Sequence, residues 1–224
     1  TALLRVDPES IPSMLAPVFD PEEKSKAIKE KRYLTKGLNA GPGAASGVVV
    51  FDSWNAQNRK LKGEKTILVR METSPEDIAG MEAAEGILTA RGGMTSHAAV
   101  VARGMNKPCV VGCSALHVEE RSAFMAVATE DGRSIIVREG EFISIDGSTG
   151  EVLLGSVQTR PSEIQQVLDG IISEETSMVA RYFKKYMSWT DEHRTLQIRT
   201  NADTPRDARI ARIFGAQGIG LCRT

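Results

Sequence analysis

The sequence contains few cysteines and few aromatic residues, almost no net charge, and no long apolar run. Three cysteines among 224 residues are an odd set, which argues against a fully disulfide-paired secreted domain and favours reduced thiols. The formal net charge is −1, from 28 basic and 29 acidic residues, so a broad basic surface for nucleic acid or an acidic membrane is excluded. No segment is apolar for long enough to span a bilayer. We therefore expect a soluble, intracellular protein with neither nucleic acid nor membrane as a partner.

Recognisable signatures of several common enzyme classes are also missing. The sequence has no P-loop, dinucleotide-binding fingerprint or nucleophile elbow. Cys109 and Cys113 flank a strand-like run and are interpreted as buried thiols. A zinc site would need two further ligands, which neither His117 nor His193 is placed to provide. We therefore predict no metal site in this chain and interpret both histidines as hydrogen-bonded or exposed.

The pattern of polar, glycine-rich and apolar stretches divides the chain into four segments. Residues 1–36 are polar and contain a charged helical stretch near Asp20–Tyr33, which is typical of a connector. Residues 37–155 alternate short β-branched runs with glycine turns. Residues 156–194 carry helical apolar spacing and are interpreted as a second connector. Residues 195–224 contain one β-α-β unit. With 41% hydrophobic residues the chain can bury a core, and the fold class is α/β.

Within residues 37–155 the β-branched runs predict strands. These strands are Gly47–Phe51, Thr66–Arg70, Gly86–Thr89, Cys109–Val111, Ser134–Val137, Phe142–Ile145 and Val152–Leu154. One helix is predicted over Ser74–Ala84, with Ser74 as its cap and proline at its first position, and a second over His97 to about Gly104. The turn residues of Asp146–Glu151 predict a hairpin between the last two strands.

In the last two segments, the apolar spacing predicts a long helical stretch over Pro161–Glu192. A strand is predicted at Leu196–Arg199 and another at Gly218–Leu221. Between them, Thr204 caps a helix that runs to about Phe214. The chain begins with Thr, so we also expect that an upstream segment precedes it in a longer protein.

The most informative stretch is Gly92–Gly104 (GGMTSHAAVVARG), which places a histidine where a glycine turn becomes a helix. Glycines permit backbone angles closed to other residues, and Thr95 or Ser96 can cap the helix that follows. His97 then lies in the first helical turn, where unpaired N–H groups and the helix dipole favour negative charge. The pattern predicts a histidine nucleophile that carries a phosphoryl group.

The surrounding residues supply the groups that such a carrier needs. Arg91, Gly92, Gly93, Thr95 and Ser96 are the predicted phosphoryl-stabilising residues, and Arg91 offers a charge-assisted contact. The alternative reading is an ordinary capping or buried histidine. A hydrolase that uses Ser96 with its neighbouring histidine is rejected, because adjacent side chains on a helix do not face each other. Arg103 is interpreted as a structural or interdomain contact.

These residues match the phosphohistidine motif of the phosphoenolpyruvate-utilising enzymes, and the chain resembles that family. Met94 and the run Ala98–Gly104 resemble its dikinase branch, whereas other branches usually carry arginine in place of Met94. Lys36–Phe51 resembles the entry into the family's phosphohistidine domain. Arg199–Pro205 and Gly218–Thr224 resemble the opening of its phosphoenolpyruvate barrel. The three stretches occur in the family's order from about Lys36 onward.

The resemblance implies a fold and an activity. Residues 37–155 would form a swivelling β/β/α phosphohistidine domain, and residues 195–224 the first β-α-β unit of a truncated (β/α)8 barrel. Residues 1–36 would lead from an upstream nucleotide-binding domain. The implied reaction is ATP + phosphate + pyruvate = AMP + diphosphate + phosphoenolpyruvate, with His97 as the tele-phosphohistidine intermediate. A synthase-type carrier domain and a non-catalytic docking module of the same fold remain the alternatives.

The family's further properties are implied in the same way. Arg199 would contact the substrate phosphate at the end of the first barrel strand, and Arg223 is a weaker substrate-binding candidate. Mg²⁺ is the implied cofactor, with ligands outside this chain, and the full-length enzyme would be a homodimer. Cytoplasm, plastid and glycosome are equally compatible locations. Thr95 is also a regulatory candidate, because a phosphate there would repel the incoming anion. The chain by itself is not expected to turn over.

Overall fold

A computed structural model describes residues 3–129 and 132–222 of the chain. The chain divides into two compact units. One unit is residues 9–162, and the other combines residues up to Pro8 with the chain from Glu163 onward. In the described residues the architecture is mixed α/β with several sheets, as predicted.

The helices and strands are numbered in chain order. The α-helices are α1 (Ile11–Leu15), α2 (Pro21–Lys29), α3 (Ser53–Leu61), α4 (Ile78–Ala83), α5 (His97–Gly104), α6 (Glu163–Leu168), α7 (Met178–His193) and α8 (Pro205–Ile213). The strands are β1 (Val18–Phe19), β2 (Tyr33–Lys36), β3 (Leu38–Gly41), β4 (Ala44–Val50), β5 (Thr66–Arg70), β6 (Gly86–Thr89), β7 (Cys109–Val111), β8 (Leu116–Glu119), β9 (Phe124–Ala128), β10 (Ser134–Arg138), β11 (Phe142–Asp146), β12 (Glu151–Leu154), β13 (Thr159–Arg160), β14 (Arg199–Thr200) and β15 (Gly218–Ile219).

The larger unit is built on one mixed sheet with the strand order β2-β12-β11-β4-β5-β6-β7-β3 among the described residues. Strands β4 to β7 are parallel neighbours, and α3, α4 and α5 connect them in turn. These strands are apolar along their length because both faces of the sheet are covered. The carboxyl ends of β5 and β6 therefore lie side by side, with α5 beginning beyond β6.

Two apolar layers cover the sheet on its two faces. On one face the sheet packs against the antiparallel sheet of β8, β9 and β10, with Val69, Met125 and Ile143 fully buried. On the other face α3, α4 and α5 pack through small and apolar residues such as Ala56 and Met81. The buried residues of α5 are the alanines Ala98, Ala99 and Ala102, whose small side chains let the helix pack closely against the sheet.

The smaller unit contains α6, α7 and a short parallel β14-α8-β15 unit. Thr204 and Asp207 form the capping box at the start of α8, and the predicted β-α-β order is confirmed. The predicted strand over Leu196–Arg199 is wrong in its bounds, because the pairing with β15 begins at Arg199.

The helical stretch predicted over Pro161–Glu192 is confirmed, but it is interrupted. It is two helices, α6 and α7, separated by residues 169–177. Gly170 takes a φ of +72°, a left-handed angle that ends a helix, and Ser177 caps the start of α7 by accepting a hydrogen bond from Ala180 N. Apolar periodicity continued across this break, so the spacing alone did not reveal it.

Candidate phosphohistidine site

His97 is the first residue of α5, as the glycine-serine pattern predicts. Ser96 caps the helix: its backbone is extended and its Oγ accepts a hydrogen bond from Ala99 N at 3.4 Å. The cap is therefore Ser96 and not Thr95, which settles the choice that the sequence left open. His97 is half-buried and lies beyond the carboxyl end of β6.

The turn before the helix depends on Gly92. Its φ is +108°, and a Cβ added there would lie 3.0 Å from the Ser96 side chain. Glycine is therefore required at this position, both for its backbone angle and for the approach of the capping serine. Gly93 has open space around it, and its carbonyl accepts a hydrogen bond from Ser96 N at 3.0 Å.

Thr73 contacts His97, and this residue was missed by the sequence reasoning. Its Oγ1 lies 3.0 Å from His97 Nδ1. Thr73 follows β5, His97 follows the neighbouring parallel strand β6, and the two strand ends bring them together. A hydroxyl can accept from an Nδ1–H or donate to a bare Nδ1. With Nδ1 engaged by Thr73, Nε2 is the nitrogen left for a reaction partner.

Of the other predicted residues around the histidine, some have exposed side chains without a partner among the described residues and one forms hydrogen bonds. Arg91 and Thr95 are exposed, and their side chains have no hydrogen-bond or ionic partner among the described residues. Met94 is also exposed at 42%. Arg103, from the last turn of α5, donates hydrogen bonds to the carbonyls of Met94, at 2.7 Å, and Ala40, at 3.3 Å. Arg103 therefore has the predicted structural role, because it ties the glycine turn to its own helix.

The remaining candidates belong to other elements of the chain. Arg199 is exposed at the start of β14 in the smaller unit, and Arg223 lies outside the described residues. His117 lies 3.0 Å from Glu119, and His193 Nδ1 lies 2.8 Å from the Trp189 carbonyl, so the prediction for both histidines is confirmed.

The cysteine prediction is confirmed for Cys109 and Cys113, which are both buried, whereas Cys222 is exposed. Burial away from water raises the pKa of Cys109 and of Cys113 to about 12. A thiol with such a pKa is protonated at neutral pH, so neither residue can act as a nucleophile there.

The described residues do not fit a metal ion. Within residues 3–129 and 132–222, no group of three or more histidine, cysteine, aspartate or glutamate side chains is placed to hold one. None of the helices in these ranges is both long and apolar enough to cross a membrane.

Comparison with known proteins identifies the class. Residues 62–150 match the family "PEP-utilising enzyme, mobile domain" and residues 178–224 match "PEP-utilising enzyme, PEP-binding domain". The chain belongs to the PEP-utilising enzymes. It is similar over its whole length to pyruvate, phosphate dikinases: 48% identical to that of Rhizobium meliloti, 45% to that of Clostridium symbiosum and 47% to that of Giardia intestinalis.

The chain spans a small part of these relatives, namely 22% of the Rhizobium protein and 23% of the Clostridium protein. A solved structure of Enzyme I also matches 57% of this chain and 38% of that one, at 26% identity with a TM-score of 0.27. That TM-score is too low to bear on the arrangement of the elements.

Proposed function

We propose that this chain is the phosphoryl-carrier segment of a pyruvate, phosphate dikinase, and that Nε2 of His97 carries the phosphoryl group. The observation that carries the proposal is the 3.0 Å contact between Thr73 Oγ1 and His97 Nδ1. It occupies one ring nitrogen and leaves the other, on a half-buried ring at the start of a helix, as the site of attack.

The transfer step follows from the chemistry of the ring. In the reactive tautomer Nδ1–H donates to Thr73 Oγ1, so Nε2 has a free lone pair. That lone pair attacks phosphorus, the Nε2–P bond forms, and the bond from phosphorus to its leaving oxygen breaks. The exposed guanidinium of Arg91 and the backbone N–H groups before Ala99 are the groups that stabilise the added negative charge.

The proposed full-length reaction is ATP + phosphate + pyruvate = AMP + diphosphate + phosphoenolpyruvate. Because AMP leaves, Nε2 attacks the β-phosphorus, the bond from that phosphorus to the oxygen of the departing AMP breaks, and a diphosphoryl group is transferred to His97. Inorganic phosphate then attacks the γ-phosphorus, the bond from that phosphorus to the bridging oxygen of the β-phosphoryl group breaks, diphosphate leaves, and His97 retains the β-phosphoryl group. Pyruvate then accepts that group. A carrier that serves two separate sites must move between them, so we propose that residues 37–155 swivel as a β/β/α domain between connectors at 1–36 and 156–194.

We propose that the smaller unit contributes to the binding of pyruvate. Residues 195–224 would begin the barrel that binds pyruvate, and Arg199, in its first strand β14, would contact the substrate phosphate. The parallel β14-α8-β15 order and the exposure of Arg199 support this assignment. The Mg²⁺ and the homodimer that the resemblance implies belong to the proposed full-length enzyme.

The test is a labelling experiment on the full-length enzyme. ATP labelled at the β-phosphorus should give an acid-labile, base-stable adduct on His97, and addition of pyruvate should discharge the label into phosphoenolpyruvate. His97→Asn should abolish labelling, whereas the matched His117→Asn variant should label normally. An intact, folded enzyme that gives no adduct on His97 would refute the proposal.

A further inference from the structure

Three charged residues surround the segment that carries Thr73. Arg70 is the last residue of β5, Asp77 ends the 3-10 turn that follows it, and Glu120 comes from the 3-10 turn after β8. Arg70 Nη1 lies 2.9 Å from Glu120 Oε2, and Arg70 Nε lies 3.4 Å from Asp77 Oδ1. We call these three residues the carboxylate clamp.

The clamp holds the backbone on both sides of Thr73. Glu120 Oε1 accepts a hydrogen bond from Met71 N at 3.1 Å, and Asp77 Oδ2 accepts one from Ser74 N at 2.9 Å. Thr73 lies between these two anchored residues. A charge-assisted hydrogen bond to a backbone N–H is stronger and more directional than a neutral one, so each carboxylate restrains the path of the segment.

Met71 also connects this segment to the residues that precede His97. The Met71 carbonyl accepts a hydrogen bond from Arg91 N at 2.8 Å, and Arg91 directly precedes the glycine turn. Arg70 also donates to the carbonyl of Phe51 at 2.8 Å, which fixes its guanidinium to the end of β4. Met71 therefore links the segment that carries Thr73 to the segment that leads to His97. Glu120 holds Met71 in place through the hydrogen bond from Met71 N.

We infer that Glu120 is a positioning residue for phosphoryl transfer at His97, acting through Met71 and Thr73. This inference deepens the proposed function and rests on it. The Glu120 side chain bonds to Met71 N and Arg70, and among the described residues it has no hydrogen bond or ion pair with His97. It sets where the Thr73 hydroxyl lies, and the hydroxyl in turn holds His97 in the tautomer whose Nε2 is unprotonated. Without the Glu120–Met71 hydrogen bond, the Thr73 hydroxyl moves and His97 Nδ1–H loses its acceptor. The fraction of His97 in the reactive tautomer then falls.

Glu120 is the best member of the clamp to change. Its side chain is 33% exposed, whereas that of Asp77 is 6% exposed, and a buried carboxylate without its partner would destabilise the fold. Glu120→Gln keeps the shape and one acceptor oxygen but removes the charge. The matched control is Glu119→Gln, the same change one residue earlier, where the side chain contacts exposed His117.

The experiment measures His97 reactivity in the 224-residue chain with a small phosphoryl donor, potassium phosphoramidate. The Nε2–P bond forms, the P–N bond of the reagent breaks, and ammonia leaves. His193, in the other unit, is the internal reference in the same sample. Glu120→Gln should lower the ratio of His97 to His193 phosphorylation about tenfold, and Glu119→Gln should leave it within about twofold.

A double-mutant cycle separates positioning from a general structural role. In a Thr73→Val background, which removes the hydroxyl, Glu120→Gln should change the ratio by less than about twofold, because the path through Thr73 is already lost. Nitrogen-15 NMR of His97 should also show a shift toward the Nε2–H tautomer in Glu120→Gln. If Glu120→Gln does not fold, Glu120→Asp is used, which keeps the charge but is too short to reach both partners.

Three results would overturn the inference: no change in the His97 ratio in a folded Glu120 variant, the same loss with and without Thr73, or an equal loss in Glu119→Gln. These outcomes are distinct from failure of the proposed function. That failure appears as an absence of ATP-dependent labelling in the unmodified full-length enzyme, whatever the reactivity of His97 toward phosphoramidate.

Discussion

At the level of single residues, burial decides which side chains can react. Cys109 and Cys113 lie in the cores on the two faces of the sheet, and burial raises the pKa of each to about 12. We expect one thiol per native chain, Cys222, to react with a disulfide reagent at pH 8, and all three after denaturation. Thiol titration measures this. Two or more fast-reacting thiols in the native protein would contradict the assignment.

Thr95 is the residue at which the sequence predicts that a negative charge would oppose phosphorylation of His97. Its side chain is exposed, two residues before the histidine, and the helix cap is Ser96. Thr95→Asp should slow phosphorylation of His97 in the full-length enzyme at least about tenfold, because a fixed anion would face the incoming one. The isosteric neutral variant Thr95→Asn should retain most of the rate. Equal rates in the two variants would exclude charge repulsion as the cause.

His97 could be predicted from the sequence because the features that mark it are local: the glycine turn, the serine cap and the helix occupy adjacent positions. Thr73 could not, since it lies 24 residues earlier along the chain. Its contact with the histidine exists only because β5 and β6 are parallel neighbours. Pairing between strands is a tertiary fact that the local pattern around Thr73 does not contain.

At the level of elements, the turn before α5 depends on the difference between two adjacent glycines. Gly92→Ala would force a side chain into a φ of +108° and against Ser96, whereas Gly93 has open space around it. We expect Gly92→Ala to lower the free energy of unfolding by about 1–3 kcal/mol. Gly93→Ala should cost less than about 1 kcal/mol. Urea unfolding of the two variants tests the difference, and equal losses would contradict the described turn.

Helix α2 is held to the β11–β12 hairpin by Lys24, whose Nζ lies 2.8 Å from Asp146 and 2.6 Å from Glu151. Burial opposes both charges, but the mutual hydrogen bonds and attraction outweigh it. The pKa of Lys24 is therefore raised above 10.5 and that of Glu151 is lowered below 4.5. The stabilisation is thus complete between those two values. It is lost as the pH falls through the lowered pKa of Glu151 or rises through the raised pKa of Lys24.

Lys24→Met should lower the free energy of unfolding by about 1–2 kcal/mol at pH 7. The difference from the unmodified chain should shrink as the pH falls below 4.5, the ordinary value for Glu151. Lys26→Met, on the exposed face of the same helix, is the control and should have little effect at either pH. A difference that does not vary with pH would exclude the ion pair as its source.

The elements that the sequence predicted best are those with the most uniform environment. The bounds of β5, β6 and β7 were predicted correctly, because strands that are buried on both faces contain continuous apolar runs. Strands β8 and β9 were missed, since exposed and buried residues alternate within very short segments that contain histidine and alanine. Helix α3 was also missed, because its polar sequence (SWNAQNRKL) buries only Ala56 among its described residues.

For the whole molecule, the two units differ in how much apolar surface they bury. In the larger unit, apolar residues fill layers on both faces of the sheet. In the described part of the smaller unit, the buried apolar residues are Ile164, Ala180 and Ala202, while Leu196 is 79% exposed. Because apolar burial is the main source of stability, the larger unit should fold independently and the smaller unit should be the less stable of the two.

A fragment of residues 9–162 tests this argument directly. It should unfold cooperatively at a midpoint within about 3 °C of the larger unit in the 224-residue chain, because it keeps both apolar layers and the Thr73–His97 contact. It should also protect Cys109 and Cys113 from the disulfide reagent and retain the reactivity of His97 toward phosphoramidate. Hydrogen exchange in the complete chain should be slowest in β4 to β6 and fastest after Glu163. A fragment that is unfolded, or whose two thiols react at once, would show that the larger unit depends on the rest of the chain.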